Sequence, residues 1–182
     1  REIADNYSDL HPLFKLAVAP PEAARTALDK SLTYAVAARI DIPTPRTAPL
    51  ESSSDIQGAL KLVGLPAILR PSFSIAFYRD FGTKSFIAVT PEDVASMFEK
   101  ARAAGHRVLL QEIIPGKDEN VVSCKAYVAD SGQVLGAVAG FKLTIYPPRF
   151  GVSQIQETRP CPTGEEGTRR LLRSLGFRGS LA

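Results

Sequence analysis

The chain has 182 residues, with 45% hydrophobic and 23% charged residues, enough to bury a core and ordinary for a globular protein. Its 22 basic and 19 acidic residues leave a formal charge of +3. They are interleaved, so no basic stripe points to nucleic acid, and no apolar run reaches the ~18 to 20 residues of a membrane span. Two histidines, His11 and His106, are too few for a histidine-based metal cluster or triad, and Cys124 and Cys161 stand far apart without C-x-x-C spacing. Two free, buried thiols in a reducing cytosol are the expectation, and the chain reads as cytoplasmic, with no signal peptide. Both ends read as cut: residue 1 is Arg, and the chain stops where Phe177 opens a new strand.

In chain order, residues 1–19 suggest a short helix end and an extended apolar segment. Pro20-Pro21-Glu22 starts a helix, with proline setting φ and an acid in the first turn. Apolar residues at helical spacing carry it to about residue 40, with Asp29 and Lys30 on its polar face. Ile42-Pro43-Thr44-Pro45 ends it, because the residue before each proline is pushed out of the α region. Arg46 to Ala48 reads as a short strand. Ser54 is a candidate cap for a helix from Asp55 to Val63 that Gly64 closes. Pro66 to Arg70 reads as a strand, Ser72 to Phe81 as a loop and Thr83 to Val89 as a strand. Thr90-Pro91-Glu92 opens a helix that buries Val94, Met97, Phe98 and Ala101 and ends at Gly105.

Val108-Leu109-Leu110-Gln111-Glu112-Ile113-Ile114-Pro115-Gly116 follows: a buried strand that turns polar just before a Pro-Gly break. Residues 121–129 and 134–146 read as an antiparallel pair around Asp130-Ser131-Gly132. Pro147 to Gly151 reads as a rigid loop, and Gln154 to Thr158 as a further strand. Thr163-Gly164-Glu165-Glu166 has the pattern of a capping box opening a helix through Leu175, with Gly176 after it. The class is α+β.

Asp29-Lys30, Ile42-Pro43-Thr44-Pro45, Gly64 to Pro71, Lys84, Gln111 to Gly116 and Tyr146 to Gly151 occur in this order. Forty positions separate Lys30 from Arg70, and 41 separate Arg70 from Gln111. In these residues, over roughly positions 22 to 182, the chain resembles the ATP-grasp superfamily, in its carbamoyl-phosphate-synthase-like and carboxylate–amine ligase branch. The resemblance implies an ATP-grasp fold in which a small lid lobe and a larger lobe with an antiparallel sheet hold ATP between two sheets. It places an N-terminal helical segment at 1–45, the lid at 46–110 and the start of the larger lobe at 111–182.

The resemblance further implies that Gln111 faces the adenine amine, and that the Glu112 carbonyl and Ile114 amide bond the ring edge. Asp118 falls where the family places an acid on the ribose; the alternative reading is a turn-forming Asp. Lys30 and Arg70 fall where the family has two ATP-binding lysines, and a triphosphate needs such charge-assisted donors. Without the family they are a solvated helix lysine and a strand-end arginine. Arg70 departs from the usual lysine. Lys84 is a second lid cation or a plain strand lysine. The segment Ser72 to Gly82 has one glycine where many lids carry a glycine-rich phosphate loop. Lys142 and Arg149 are the candidate catalytic residues at the acyl-phosphate, or else solvated charges. The family's Mg²⁺ ligands are expected beyond Ala182, none of them within this sequence. The implied function is ATP binding in a ligase that joins a small-molecule carboxylate to an amine through an acyl-phosphate. The alternatives are a catalytically silent nucleotide-binding module and a carbamoyl-phosphate-synthase-type enzyme acting on bicarbonate.

Overall fold

The computed structural model describes residues 2–14, 16, 18–146 and 152–181. The chain divides into two units. One comprises residues 29–34 and 43–115, the other residues 1–28, 35–42 and 116–182.

The sheet of the first unit has strand order β1-β4-β2-β3, all antiparallel, from β1 (Thr47–Leu50), β2 (Ala67–Pro71), β3 (Phe86–Ala88) and β4 (Val108–Glu112). Side chains alternate between its faces. One face contributes Ala48, Leu50, Ala67, Leu69, Ala88, Val108 and Leu110 to a core, which Ala59, Val63, Phe77, Val94, Phe98 and Ala101 complete from the helical side. The other face carries Thr47, Arg70 and Gln111.

The helix Pro91–Ala103 starts where its signals place it. Thr90 accepts from the Asp93 amide, and the Asp93 carboxylate accepts from the Thr90 amide, closing a capping box. Elsewhere the expectations shift. The cap before the helix Ile56–Val63 is Ser52 with Asp55, not Ser54, because a 3₁₀ turn, Ser53–Asp55, precedes the helix. The strand expected over 83–89 is only Phe86–Ala88, and Lys84 lies in the turn before it. Arg46 precedes β1; its amide and guanidinium bind the Glu112 side chain at 2.7 and 2.6 Å.

The largest correction is Ser72 to Phe81, expected to be a loop. Ser74–Phe81 is an α-helix, closed by Gly82 in the left-handed region at φ 65°. Ser, Phe and Tyr are weak helix formers, and packing overrides propensity. Phe77 is completely buried on its inner face, with ring contacts to Phe81, Phe86 and His106, while Ile75 points to solvent.

The helix expected from Pro20 to residue 40 is two helices, Pro21–Leu28 and Lys30–Arg39, broken at Asp29. Asp29 is not on a polar helix face but 3% exposed. Its carboxylate accepts from the amide and hydroxyl of Ser31, as an N-cap does, and from the Arg107 guanidinium at 2.8 Å. The Lys30 amide faces the Ser72 carbonyl at 3.5 Å, and the Ser72 amide donates to the Arg107 carbonyl at 2.9 Å. The start of the second helix is thereby tied to the ends of β2 and β4. Burial pushes the Asp29 pKa up, but the Ser31 and Leu32 bonds and Arg107 outweigh it, and the carboxyl titrates below its ordinary range.

The second unit holds a sheet of order β7-β6-β5-β8, from β5 (Val122–Val128), β6 (Val134–Tyr146), β7 (Val152–Thr158) and β8 (Gly179–Leu181). The β5–β6 pair turns at Gly132, φ 87°, as expected. Val152–Thr158 and Gly179–Leu181 bear out the further strands at Gln154 to Thr158 and after Phe177. The last helix runs Pro162–Ser174 with Cys161, not Thr163, at its N-cap; the Glu165 carboxylate accepts from the Cys161 amide at 3.3 Å. Leu172, Phe177, Ala126, Val128, Val134, Ala19 and Ala23 form the core of this unit. The apolar segment expected near residue 13 is a turn after short helices Glu2–Asp5 and Tyr7–Leu10. The loop expected at Pro147 to Gly151, which includes Arg149, lies outside the described residues.

Replacing Phe77 by Ala should cost about 3–5 kcal/mol in denaturant unfolding, whereas Ile75→Ala, on the exposed face of the same helix, should change stability by under about 0.5 kcal/mol. Asp29→Asn should cost about 1–3 kcal/mol at neutral pH, the typical cost of breaking a buried charge-assisted bond. Because the folded pKa of Asp29 is depressed, its contribution is fully present above the ordinary aspartate value and is lost as pH falls through the folded value. Acid unfolding curves of parent and variant should therefore converge at low pH.

Candidate functional site

Lys30, Arg70, Lys84, Gln111, Glu112 and Ile114 belong to one unit, and Asp118 and Lys142 to the other. Within the first unit, three of these residues form a cationic group. Lys30 opens its helix, and its ammonium donates to the Ser74 hydroxyl at 2.7 Å. Burial lowers its pKa first, the Arg70 guanidinium second, and Lys84 adds to both; Asp29 opposes them. The acid that would neutralise Lys30 is thus turned to Ser31 and Arg107. A half-buried lysine facing two further cations, with its nearest carboxylate already engaged, is a favourable place for an anion.

Arg70 and Gln111 lie on the same sheet face, diagonal across β2 and β4. Arg70 Nη1 donates to Gln111 Oε1 at 3.2 Å, and Gln111 Nε2 donates to Thr47 Oγ1 at 3.0 Å. Gln111 is 3% exposed, and its amide orientation is fixed from both sides. The carbonyl oxygen has a second lone pair. The Glu112 side chain is engaged by Arg46, whose backbone and side-chain bonds lower its pKa. Ile114 follows the strand with an exposed side chain.

In the other unit, Asp118 begins a 3₁₀ turn, Asp118–Asn120, and is half-buried. Lys142 lies on β6, opposite Gln156, and is half-buried as well.

Sequence reasoning missed Ser74 and Asp29 as parts of this group. Ser74 was hidden in a segment read as loop. For Asp29 there was a signal: an Asp with Ser two residues later fits an N-cap, but the continuing helical pattern masked it. Among the described residues, no three or more His, Cys, Asp or Glu side chains come together as metal ligands.

No family model matches the chain. It is 37% identical over 79 residues to the carbamoyl phosphate synthase large chain of Methanoculleus marisnigri, across 42% of this chain and 7% of that protein. It superposes on an ADP complex of purK, N5-carboxyaminoimidazole ribonucleotide synthetase, with a TM-score of 0.72 and 14% identity, covering 97% of this chain and 45% of the other. For the D-alanine–D-alanine ligase from Bacillus anthracis complexed with ATP, the TM-score is 0.63 at 16% identity, over 95% of this chain and 56% of the other. The chain spans less than a tenth of the length of the curated synthase, and about half of each structure. No helix among the described residues is long and apolar enough to cross a membrane. These likenesses meet on one architecture: over the part it spans, the chain has the ATP-grasp fold.

Proposed function

We propose that this chain is the ATP-binding part of a cytoplasmic, ATP-dependent carboxylate–amine ligase that works through an acyl-phosphate. In this reading residues 46–110 are the lid, and they fall within the unit formed by residues 29–34 and 43–115. The observation that carries it is the grouping of Lys30, Arg70 and Lys84, with Ser74, beside a sheet face that carries Gln111. The likeness to a carbamoyl phosphate synthase large chain favours bicarbonate as the carboxylate among the possible substrates.

ATP would supply the phosphoryl group that activates the carboxylate. The chain's own part is positioning and charge. Lys30 and Arg70 bind phosphate oxygens, Arg70 with a planar fork where a lysine would offer a point charge. Lys84, in an exposed turn, adds charge from the side. Gln111, held by Arg70 and Thr47, presents its second lone pair toward the adenine amine, while the Glu112 carbonyl and Ile114 amide meet the ring edge through the backbone. Asp118 would take the ribose hydroxyls, and Lys142 and Arg149 the acyl-phosphate. Mg²⁺ belongs to the reading only as an ion held by residues other than those described.

One observation favours a second reading, a nucleotide-binding module without turnover. The segment after β2 is a helix, Ser74–Phe81, in place of a glycine-rich loop. A helix offers only its first amides to phosphate.

Calorimetry of the full chain should show ATP binding, weakened about tenfold or more by Lys30→Met and by Arg70→Met, the loss of one charge-assisted contact each. Absence of ATP binding in the parent would sink both readings. ADP release on adding ATP with bicarbonate or another carboxylate, plus an amine, selects the ligase; binding without release selects the silent module. A pH series sharpens the role of Lys30. Its pKa in the free protein lies below the ordinary lysine value, and a bound polyanion raises it, so binding takes up protons. Affinity should be greatest at lower pH and fall as pH rises through the free-protein value, and Lys30→Met should flatten that slope.

A further inference from the structure

Cys124 and Cys161, far apart in sequence, lie together in the fold. Cys124 is on β5, on the face that also carries Ala126 and Val128. Cys161 is the N-cap of the helix Pro162–Ser174. Gly164, in the first turn of that helix, marks the place where they meet. A β-carbon at Gly164 would stand 3.0 Å from Cys161 Sγ and 3.4 Å from Cys124 Sγ. Both sulfurs thus border one small space, which glycine alone among residues leaves open. Both thiols are free and half-buried, so neither is sealed from small solutes. Two sulfurs bordering the same point are close neighbours, and a disulfide would draw them to about 2.05 Å.

We propose that Cys124 and Cys161 are a redox-active pair that closes to an intramolecular disulfide, with a small-molecule disulfide of the glutathione class as the oxidant. The thiolate of one cysteine attacks a sulfur of the oxidant, forming a mixed disulfide and releasing one small thiol. The second thiolate then attacks the protein sulfur of the mixed disulfide and releases the other small thiol. The pair gives up two electrons and two protons, and the oxidant is reduced to two thiols. The product ties the first turn of the last helix to the strand beneath it. That helix supplies Leu172 to the core of this unit, so the bond fixes the helix against the sheet that it covers. In a reducing compartment the pair rests as two thiols and records oxidation reversibly. This inference stands apart from the ATP reading, since it uses none of its residues.

The test is treatment of the full chain with oxidised glutathione, followed by peptide mapping under non-reducing conditions. The expected result is a single peptide pair linked through Cys124 and Cys161, with loss of both free thiols and full recovery on reduction. Cys124→Ser and Cys161→Ser should each leave the remaining thiol carrying only a mixed disulfide. Gly164→Ala keeps both thiols and a residue of higher helix propensity but puts a methyl group against both sulfurs; the link should form several-fold more slowly. Circular dichroism of each variant separates this effect from misfolding. Glutathione retained on the parent without a link, a link between two chains, or a folded Gly164→Ala that closes at the parent rate would each overturn the proposal.

Discussion

A buried carboxylate organises the unit formed by residues 29–34 and 43–115. Asp29 cannot remain ionised out of water without donors, and it takes them from Ser31 behind it in the chain and from Arg107 on the far side of the sheet sequence. Arg107 keeps much of its side chain in solvent, so the pair is buried only at its acidic end. This lopsided burial avoids the full desolvation of two ions, which can exceed their attraction. Meeting that demand breaks the helix, sets the first residue of the next one beside Ser72, and so sends the Lys30 ammonium toward Ser74 and Arg70.

The same unit separates its duties by sheet face. One face supplies the apolar core. The opposite face bears a connected polar line, Thr47 to Gln111 to Arg70, spanning three adjacent strands. Rigid strands hold such groups more firmly than a loop does, and each member is satisfied by a neighbour. Arg70 belongs both to this line and to the cations, and the carboxylate nearest Lys30, Asp29, is engaged by Ser31 and Arg107, which is why the anion reading rests on the cations rather than on Gln111. The helix Ser74–Phe81 joins the two features, because Phe77 anchors it in the core while Ser74 meets Lys30.

The unit formed by residues 1–28, 35–42 and 116–182 has a core of its own, made largely of small residues such as Ala19, Ala23 and Ala126. Gly164 leaves open the space in the first turn of the last helix that the two sulfurs border. The last strand, Gly179–Leu181, pairs with β5, so strands distant in sequence complete this sheet.

Where local rules dominate, the sequence determined the outcome by itself. Thr90-Pro91-Glu92 starts its helix, Gly132 turns the β5–β6 pair, and the short aliphatic runs around Leu69 and Leu110 form buried strands, because capping, φ > 0 and apolar runs act over a few residues. The order and spacing of Lys30, Arg70 and Gln111 also carried the fold resemblance. Tertiary structure alone decided the break at Asp29, since the Arg107 that makes burial tolerable comes from the distant segment that leads into β4. It likewise turned Ser74–Phe81 into a helix, through a Phe77 pocket that weak local propensity does not foretell, and brought Cys124 to Cys161. In each case the determining partner lies outside the local segment, and its effect exists only once the tertiary packing has formed.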